Sequence, residues 1–417
     1  MAFQKPKGTM DWLPGTVEKW QFVEATAREL CRRFNYSEIR TPIFEQTELF
    51  QRGVGETTDI VEKEMYTFAD KGGRSMTLRP EGTAGVVRAF AENKLHAAAE
   101  LTKLYYIGPM FRYERAQAGR YRQFHQFGVE VFGSEDPSID AEVIALGYQF
   151  YAMLGIRGVT VDVNSVGTPD IRAAFRGRLT QFLEPLRGEL CADCLSRLER
   201  NPLRVLDCKR DQHLFADAPS IIDSLDEQCT AHFEAVCRYL TEMGIPFRLN
   251  PRLVRGLDYY THTAFEYKAQ GIGAIDTIGG GGRFNGLVSQ IGGPDLPGIG
   301  LGLGLERTLL ILEDQQLPAP GVPPLDVYLI ALGDAAAQAL PKLLQQLRSA
   351  GFRADKDYQQ RKMKAQLKAA DRLGARFAAI IGDDELAEGV IALKNLTDGQ
   401  QATVRLDSLV GELERRL

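Results

Sequence analysis

The 417-residue sequence lacks the features that mark several common classes of protein. Its six cysteines are too few for a disulfide scaffold, and its five histidines include no HExxH spacing. It contains no signal peptide and no apolar stretch long enough to cross a membrane. The nucleotide-binding patterns GxxxxGK and GxGxxG are also missing. These absences favour a cytoplasmic protein in a reducing compartment, whose nucleotide site, if present, uses neither loop.

The sequence also has no basic excess of the kind that marks many nucleic-acid-binding proteins. It has 50 Lys and Arg against 55 Asp and Glu, a net charge of −5, so a polyanion site must come from local clustering. Residues 353–376 form such a cluster, with eight basic and three acidic residues. We expect a helix from Arg361 to Leu373 with its basic side chains on one face. A solvated helical face is the ordinary interpretation, and RNA contact is the alternative.

A proline-rich segment divides the sequence into two predicted domains. The segment LPAPGVPPL, residues 317–325, contains four prolines and is typical of a linker. Residues 1–322 predict an α+β domain, in which an antiparallel sheet has flanking helices and a helical insertion occupies about residues 168–247. Residues 323–417 alternate between strand and helix patterns, so we expect a compact α/β domain there.

One cysteine pair has the spacing of zinc ligands. Cys191 and Cys194 form CxxC, but the sequence contains no second pair of this kind. Cys208 and His213 could complete a site only if folding happened to bring them to the pair. We therefore favour isolated reduced thiols over zinc and predict no metal site.

The most informative segment is a predicted β-hairpin at residues 103–133. A period of two sends apolar side chains of its second strand to one face, where they can pack against helices. These side chains belong to Phe127, Val129 and Val131. On the opposite face, Gly128 separates Gln126 from Glu130 and leaves room for a ligand. The loop between the strands holds Arg115, Arg120 and Arg122. An arginine-rich loop beside a polar face suits an anionic ligand, and an edge hairpin with solvated arginines is the alternative.

Three further segments have residue types that suit a ligand site. RPEGTA supplies Glu81 and Thr83, and LVRGLDYY supplies Arg255 and two tyrosines. GIGLGLGLER clears one face of a strand with alternate glycines and ends at Arg307, which could stack on an aromatic base or reach a phosphate. The glycines of Gly279–Gly282 predict either a loop around an anion or a plain turn.

Together these segments resemble the class II aminoacyl-tRNA synthetases, and among them the histidyl-tRNA synthetases. RTPIF, from Arg40, resembles the first class II motif at the dimer interface, FRYE, from Phe111, the second, and GLGLER, from Gly302, the third. LVRGLDYY and GGGGRFNGL resemble the two signatures of the histidine enzymes. The resemblance covers nearly the whole sequence. One departure is Phe284-Asn285, where the family usually shows Tyr-Asp.

The resemblance implies a histidine–tRNA ligase that activates L-histidine with ATP and transfers it to tRNA(His). It further implies a cytoplasmic homodimer that uses Mg²⁺ with ATP. Arg112 and Arg255 would be catalytic, on opposite sides of the α-phosphate. Histidine would be bound by Glu81, Gly82, Thr83, Arg112, Gln126, Glu130, Arg255, Tyr259 and Tyr260. ATP would be bound by Arg112, Glu114, Arg120, Tyr121, Phe124 and Arg307. The tRNA would be bound by Arg115, Gln117, Arg361, Lys362 and Lys364.

An imidazole ring has one N–H group and one lone-pair nitrogen. Glu130 can accept a hydrogen bond from the first, and the Tyr260 hydroxyl can donate to the second.

The alternative function is a non-catalytic, synthetase-like regulatory subunit of histidine biosynthesis. Such paralogues usually lack the C-terminal domain and the LVRGLDYY run, both of which are present here.

Overall fold

The computed structural model describes residues 3–55, 58–208, 210–270 and 276–417. The chain divides into two compact units, Met1–Ala319 and Pro320–Leu417. The predicted boundary lies between residues 322 and 323, within the same proline-rich segment. Every helix in the described ranges is too short or too polar to span a membrane.

The first unit is built on strands and helices that occur along its whole length. Its described strands are β1 (Ser37–Glu38), β2 (Phe44–Gln46), β3 (Tyr66–Ala69), β4 (Ser75–Leu78), β5 (Thr102–Phe111), β6 (Gln123–Phe132), β7 (Thr160–Ser165), β8 (Phe247–Leu249), β9 (Thr261–Lys268), β10 (Thr277–Arg283) and β11 (Gly298–Gly304). Its described helices are α1 (Val17–Arg33), α2 (Thr47–Val54), α3 (Thr83–Glu92), α4 (Pro137–Met153), α5 (Pro169–Leu183), α6 (Ala192–Arg200), α7 (Glu227–Glu242), α8 (Leu287–Gln290) and α9 (Leu305–Asp314).

An eight-stranded sheet is the centre of this unit, with the order β1-β5-β6-β11-β10-β9-β7-β8. Its inner strands pair antiparallel, while the outer pairs β1–β5 and β7–β8 are parallel. The apolar face of β6 carries Phe127, Val129 and Val131, which are buried in a core shared with α1, α4 and α9. A smaller sheet has the order β2-β4-β3. The predicted antiparallel sheet with flanking helices is confirmed.

The helical insertion is shorter than the predicted range of about residues 168–247. The predicted range extends to about residue 247 and so includes α7, which begins at Glu227, where the Asp226 side chain caps its first turn. The Asp226 carboxylate accepts a hydrogen bond from the Cys229 amide at 2.8 Å. Moreover, α7 buries Phe233, Val236 and Leu240 in the core beneath the sheet. Helix α7 therefore belongs structurally to the eight-stranded sheet, and α5 and α6 form the body of the insertion.

The second unit is an α/β domain whose described strands are β12 (Val327–Leu332), β13 (Ala354–Lys356), β14 (Phe377–Gly382), β15 (Val390–Asn395) and β16 (Gln401–Arg405). They form a five-stranded sheet in the order β13-β12-β14-β15-β16. Strands β12, β13 and β14 pair parallel, whereas β15 and β16 pair antiparallel. This confirms the predicted α/β architecture. Its described helices are α10 (Asp334–Ser349), α11 (Met363–Arg372), α12 (Asp383–Glu388) and α13 (Leu409–Arg416).

Candidate active site

The polar face of β6 lies opposite the glycines of β11. The antiparallel register pairs Gly300 with Glu130, Gly302 with Gly128, and Gly304 with Gln126. A Cβ atom at Gly300 would lie 1.9 Å from the Glu130 Oε2 atom, so only glycine leaves space for this carboxylate. The alternating glycines thus keep the surface of the sheet open above β6, as the sequence predicts.

The four glycines Gly279–Gly282 form part of strand β10, so the prediction of a loop or a turn is wrong. Their lack of side chains has a packing reason. A Cβ atom at Gly280 would lie 2.8 Å from the Arg255 Nη1 atom, and one at Gly282 would lie 2.8 Å from the Tyr260 ring. These two side chains can therefore lie directly on the sheet. Close packing against neighbouring segments overrides the low strand propensity of glycine here.

A small cavity of about 70 Å³ opens on this face of the sheet. Eight of the nine predicted histidine-binding residues line it, namely Glu81, Thr83, Arg112, Gln126, Glu130, Arg255, Tyr259 and Tyr260. The ninth, Gly82, lies just before α3, where a Cβ atom would meet the Tyr106 ring at 2.2 Å. Tyr106 also lines the cavity. The structure thus brings the predicted set together around one space.

Glu130 is the most unusual group in this cavity. It is fully buried, and its Oε1 atom accepts a hydrogen bond from the Thr83 hydroxyl at 2.7 Å. Its Oε2 atom is buried without a hydrogen-bond partner among the described residues. Burial raises the pKa of Glu130 well above its usual value. A buried acceptor with an unused oxygen is therefore available to a donor on a ligand.

Glu81 lines the small cavity, but both of its carboxylate oxygens are used within the protein. Its two carboxylate oxygens accept hydrogen bonds from the amides of Thr83 and Ala84 at 2.7 and 2.8 Å. They thereby satisfy the first amides of α3, as a capping residue does. Burial raises the pKa of Glu81, although these hydrogen bonds oppose the shift. Glu81 thus fixes the start of α3, including Thr83, beside the cavity.

A larger cavity of about 380 Å³ adjoins the small one. All six predicted ATP-binding residues line it, namely Arg112, Glu114, Arg120, Tyr121, Phe124 and Arg307. Arg112 and Arg255 line both cavities. The two arginines therefore lie between the small and the large cavity, where they could contact a ligand in each.

Hydrogen bonds hold the arginines in fixed orientations. Arg112 lies just past the end of β5, and its Nε–H donates to the Pro80 carbonyl oxygen at 2.8 Å. Arg255 donates from Nη1 to the Glu266 carboxylate at 2.5 Å. Arg307 donates to the carbonyl oxygens of Gly119 and Thr277 at 3.0 and 2.8 Å. Guanidinium groups held in this way need little reorganisation when they bind an anion.

Sequence reasoning missed two carboxylates that line the larger cavity, Glu266 and Glu306. Glu266 on β9 forms an ion pair with Arg255. Side chains alternate along a strand, so the period of two that was applied to β6 would also have placed Glu266 on the cavity side of β9. Glu306 accepts hydrogen bonds from the His125 amide and from its Nδ1 atom, at 2.9 and 3.0 Å. This contact joins the start of α9 to β6. The partner residues are far apart in sequence, so only the fold reveals the contact.

The predicted tRNA-binding residues lie in two separate places. Arg115 and Gln117 are exposed in the loop between β5 and β6, where Gln117 pairs with Arg120 across a tight turn. In the second unit, the prediction of a helix from Arg361 is wrong, because α11 begins at Met363. The Asp357 carboxylate accepts hydrogen bonds from the Arg361 amide and guanidinium, at 2.8 and 2.5 Å, which holds this arginine outside the helix.

Lys362 and Lys364 differ from Arg361 in their surroundings. Lys362 precedes the first residue of α11, Lys364 lies in its first turn, and both are exposed. Basic side chains are unfavourable at the positive end of a helix dipole. Two exposed lysines there concentrate positive charge at a point where backbone amides can also bind an anion.

Comparisons with known proteins show which family this chain is similar to. A family model described as Histidyl-tRNA synthetase matches residues 8–308, and another described as Anticodon binding domain matches residues 326–416. The chain is 58% identical to a Histidine--tRNA ligase of Geobacillus sp. (strain WCH70) and 56% identical to one of Bacillus cytotoxicus, with 100% of each chain covered in both cases. It is also similar to the solved structure of apo histidyl-tRNA synthetase from S. aureus, with a TM-score of 0.85 and 46% identity. That match covers 99% of this chain and 100% of the other.

Proposed function

The chain belongs to the histidyl-tRNA synthetase family, and we propose that its two adjoining cavities bind histidine and ATP for adenylate formation. As a histidine–tRNA ligase, it activates L-histidine and transfers it to tRNA(His). The observation that carries the proposal is that Arg112 and Arg255 line both cavities. A histidine carboxylate in the small cavity and an α-phosphate in the large one would meet between these arginines.

In the first step, a carboxylate oxygen of histidine attacks the α-phosphorus of ATP, and pyrophosphate leaves. Both reactants are anionic, so the reaction needs charge neutralisation and alignment more than a proton acceptor. Arg112 and Arg255 provide fixed positive charges on the two sides of the reacting phosphoryl group. Because their side chains are mostly buried, water screens these charges only weakly.

The small cavity has the groups required to recognise an imidazole ring. The unpaired Oε2 atom of Glu130 accepts from one ring nitrogen, while the Tyr260 hydroxyl reaches the other. Thr83 and Gln126 bind the α-ammonium group, and Tyr259 closes the side of the cavity. An amino acid with an apolar side chain would leave Glu130 buried and unpaired, which costs about 1–3 kcal/mol or more.

The large cavity holds ATP. The Arg307 guanidinium packs on the adenine, and Phe124 supports Arg112 through a cation–π contact of 5.3 Å. Arg120 binds the outer phosphates. Glu114 lies 3.8 Å from Arg112 Nη1 and 3.6 Å from Arg120 Nη1. These contacts are longer than hydrogen bonds, so the carboxylate can also hold a Mg²⁺ ion or its water, and the ion would neutralise phosphate charge when bound.

ATP–pyrophosphate exchange with each of the twenty amino acids tests this function. We expect exchange with histidine alone. Exchange with another amino acid would contradict the assignment of the small cavity. The alternative of a non-catalytic regulatory subunit, which predicts no exchange at all, is less supported, because full-length relatives at 58% and 56% identity are histidine–tRNA ligases.

The second unit and the hairpin loop bind tRNA in this proposal. Arg115 follows Glu114 and Gln117 pairs with Arg120, and both Glu114 and Arg120 line the larger cavity, so the acceptor end would enter beside this loop. Lys362 and Lys364 contact phosphates of the anticodon arm. Arg361 contributes less than its charge suggests, because it is paired with Asp357.

Replacing both Lys362 and Lys364 with alanine should weaken tRNA binding and lower its salt dependence. Each lost phosphate contact reduces the slope of log affinity against log salt by roughly one. Binding over a salt series measures both effects, with Lys342→Ala on α10 as the exposed control and Arg361→Ala as the paired comparison. Histidine-dependent exchange should stay unchanged in all of these variants. Equal slopes for the double variant and the wild type would show that the two lysines do not contact RNA.

We also propose that the protein is a cytoplasmic homodimer. The segment that resembles the first class II motif exposes apolar side chains, with Ile43 45% and Phe44 51% exposed. On the same small sheet, Phe68 is 44% exposed and contacts Phe44 with its ring centre 6.2 Å away. Neighbouring exposed apolar side chains are typical of a subunit interface.

Phe44→Asp should therefore convert the dimer into monomers. A charge placed in an apolar interface is desolvated without a partner and opposes association. Analytical ultracentrifugation of the wild type should give the mass of two chains, and the variant that of one. Met243→Asp, which changes another exposed apolar side chain, serves as the control. A variant that remains dimeric would place the interface elsewhere.

A further inference from the structure

Three thiols and one carboxylate meet in the helical insertion. The side chains are those of Cys191, Cys194, Cys208 and Asp211, and their possible ligand atoms all lie within 4.8 Å of one another. The sulfur atoms of Cys191 and Cys208 are 3.8 Å apart, and all three cysteines are unbridged. A disulfide needs about 2.05 Å between its sulfurs. By contrast, zinc–sulfur bonds of about 2.3 Å in a tetrahedron place two sulfurs about 3.8 Å apart.

The four residues form two pairs with the same spacing. Cys191 and Cys194 are separated by two residues, and so are Cys208 and Asp211. The second pair does not match the CxxC pattern, because a carboxylate takes the place of its second thiol. The expectation of isolated thiols is therefore wrong for these three cysteines. His213 is not the fourth member, since it is exposed and its Nδ1 atom contacts the Arg210 carbonyl oxygen at 3.2 Å.

The surrounding backbone stabilises negative charge on this cluster. Cys191 is the N-cap of α6, and its own amide donates to the Asp211 carboxylate at 2.8 Å. Cys194 is fully buried and Asp211 is 3% exposed. If the three thiols lose their protons, they and the carboxylate repel one another at this short range, and a cation between them would remove that repulsion.

We propose that Cys191, Cys194, Cys208 and Asp211 bind one structural Zn²⁺ ion. Sulfur ligands select zinc over the hard cations Mg²⁺ and Ca²⁺. Four protein ligands fill a tetrahedral site and leave no position for a substrate, so the ion has a structural role. It joins the start of α6 to Cys208 and Asp211 and closes the segment between α6 and Cys208.

This segment connects the insertion to the histidine site. Within it, the Asn201 amide donates to the Asp258 carboxylate at 3.2 Å, and Arg204 forms an ion pair with Asp59 at 3.1 Å. Asp258 precedes Tyr259 and Tyr260 in the LVRGLDYY loop. Loss of the ion should therefore loosen the support of this loop and raise the KM for histidine more than that for ATP.

Metal analysis of the full-length protein tests the proposal. Protein purified without chelators or a histidine tag should contain about one zinc per chain. Cys194→Ser and Cys208→Ser should each lose the metal. Cys237→Ser changes a partly buried thiol on α7 outside the cluster and should retain it. Zinc-free wild-type protein, or equal zinc content in all the variants, would overturn the assignment.

Two measurements on the wild type do not depend on the folding of the variants. Thiol modification should release zinc in proportion to the loss of the cluster cysteines, as followed with a chromogenic chelator. Replacement by Co²⁺ should give sulfur-to-cobalt charge-transfer absorption and the visible bands of a tetrahedral ion. Zinc that stays bound after all cluster thiols have reacted would contradict the site. So would a disulfide between two of them in freshly purified protein, detected as resistance to alkylation before reduction.

Discussion

Replacing either Arg112 or Arg255 with alanine should lower histidine-dependent ATP–pyrophosphate exchange by about 100-fold or more. Each side chain lines both cavities, so each loss removes a positive charge aimed at the reacting phosphoryl group. Because that charge matters most in the transition state, kcat should fall more than histidine affinity. Pre-steady-state measurement of adenylate formation separates the two effects.

Conservative variants and a matched control strengthen this test. Lysine at either position keeps the charge but loses the fork of donors, so it should restore only part of the rate. Arg248→Ala removes an arginine that is paired with Asp162 at the far edge of the same sheet, and it should leave exchange unchanged. Arg255→Ala leaves Glu266 with Lys268 at 2.9 Å as a remaining partner, so the fold should persist. Near-normal exchange in Arg112→Ala or Arg255→Ala would remove that arginine from the mechanism.

The sequence predicts this site well where the signal is local. Alternation in β6 places Phe127 in the core and Glu130 on the opposite face, because side chains alternate along any strand. The motif resemblance then supplies roles for residues that no periodicity could assign. The helix boundary at α7 could also have been found, since Asp226 is a typical capping residue.

Other features depend on contacts between distant segments. The glycines of β10 read as a loop, yet they form a strand because Arg255 and Tyr260 must lie against it. Cys191 and Cys208 meet only because the chain folds back after α6. In each case, tertiary packing decides between alternatives that local propensity leaves open.

Glu130→Gln should weaken histidine binding by about 10- to 100-fold, because a charged acceptor gives way to a neutral amide at a bond worth about 1.5–3 kcal/mol. ATP affinity should be nearly unchanged, since Glu130 lines only the small cavity. Isothermal titration with each ligand measures both affinities. Glu142→Gln, on α4 and paired with Lys103 at 2.7 Å, is a control that changes a carboxylate away from the cavities.

The same substitution should stabilise the ligand-free protein at neutral pH. Burial raises the pKa of Glu130, so the folded state binds this proton more tightly than the unfolded state does. The contribution of Glu130 to stability is therefore greatest below its unfolded pKa and is lost as the pH rises through the folded value. A glutamine does not titrate, so the gain in Tm over the wild type should grow with pH across that range. Thermal unfolding at several pH values measures this difference, and Glu142→Gln should not reproduce it. Unchanged histidine affinity, or a variant less stable than the wild type at neutral pH, would show that Glu130 is not the buried, unpaired acceptor of the imidazole.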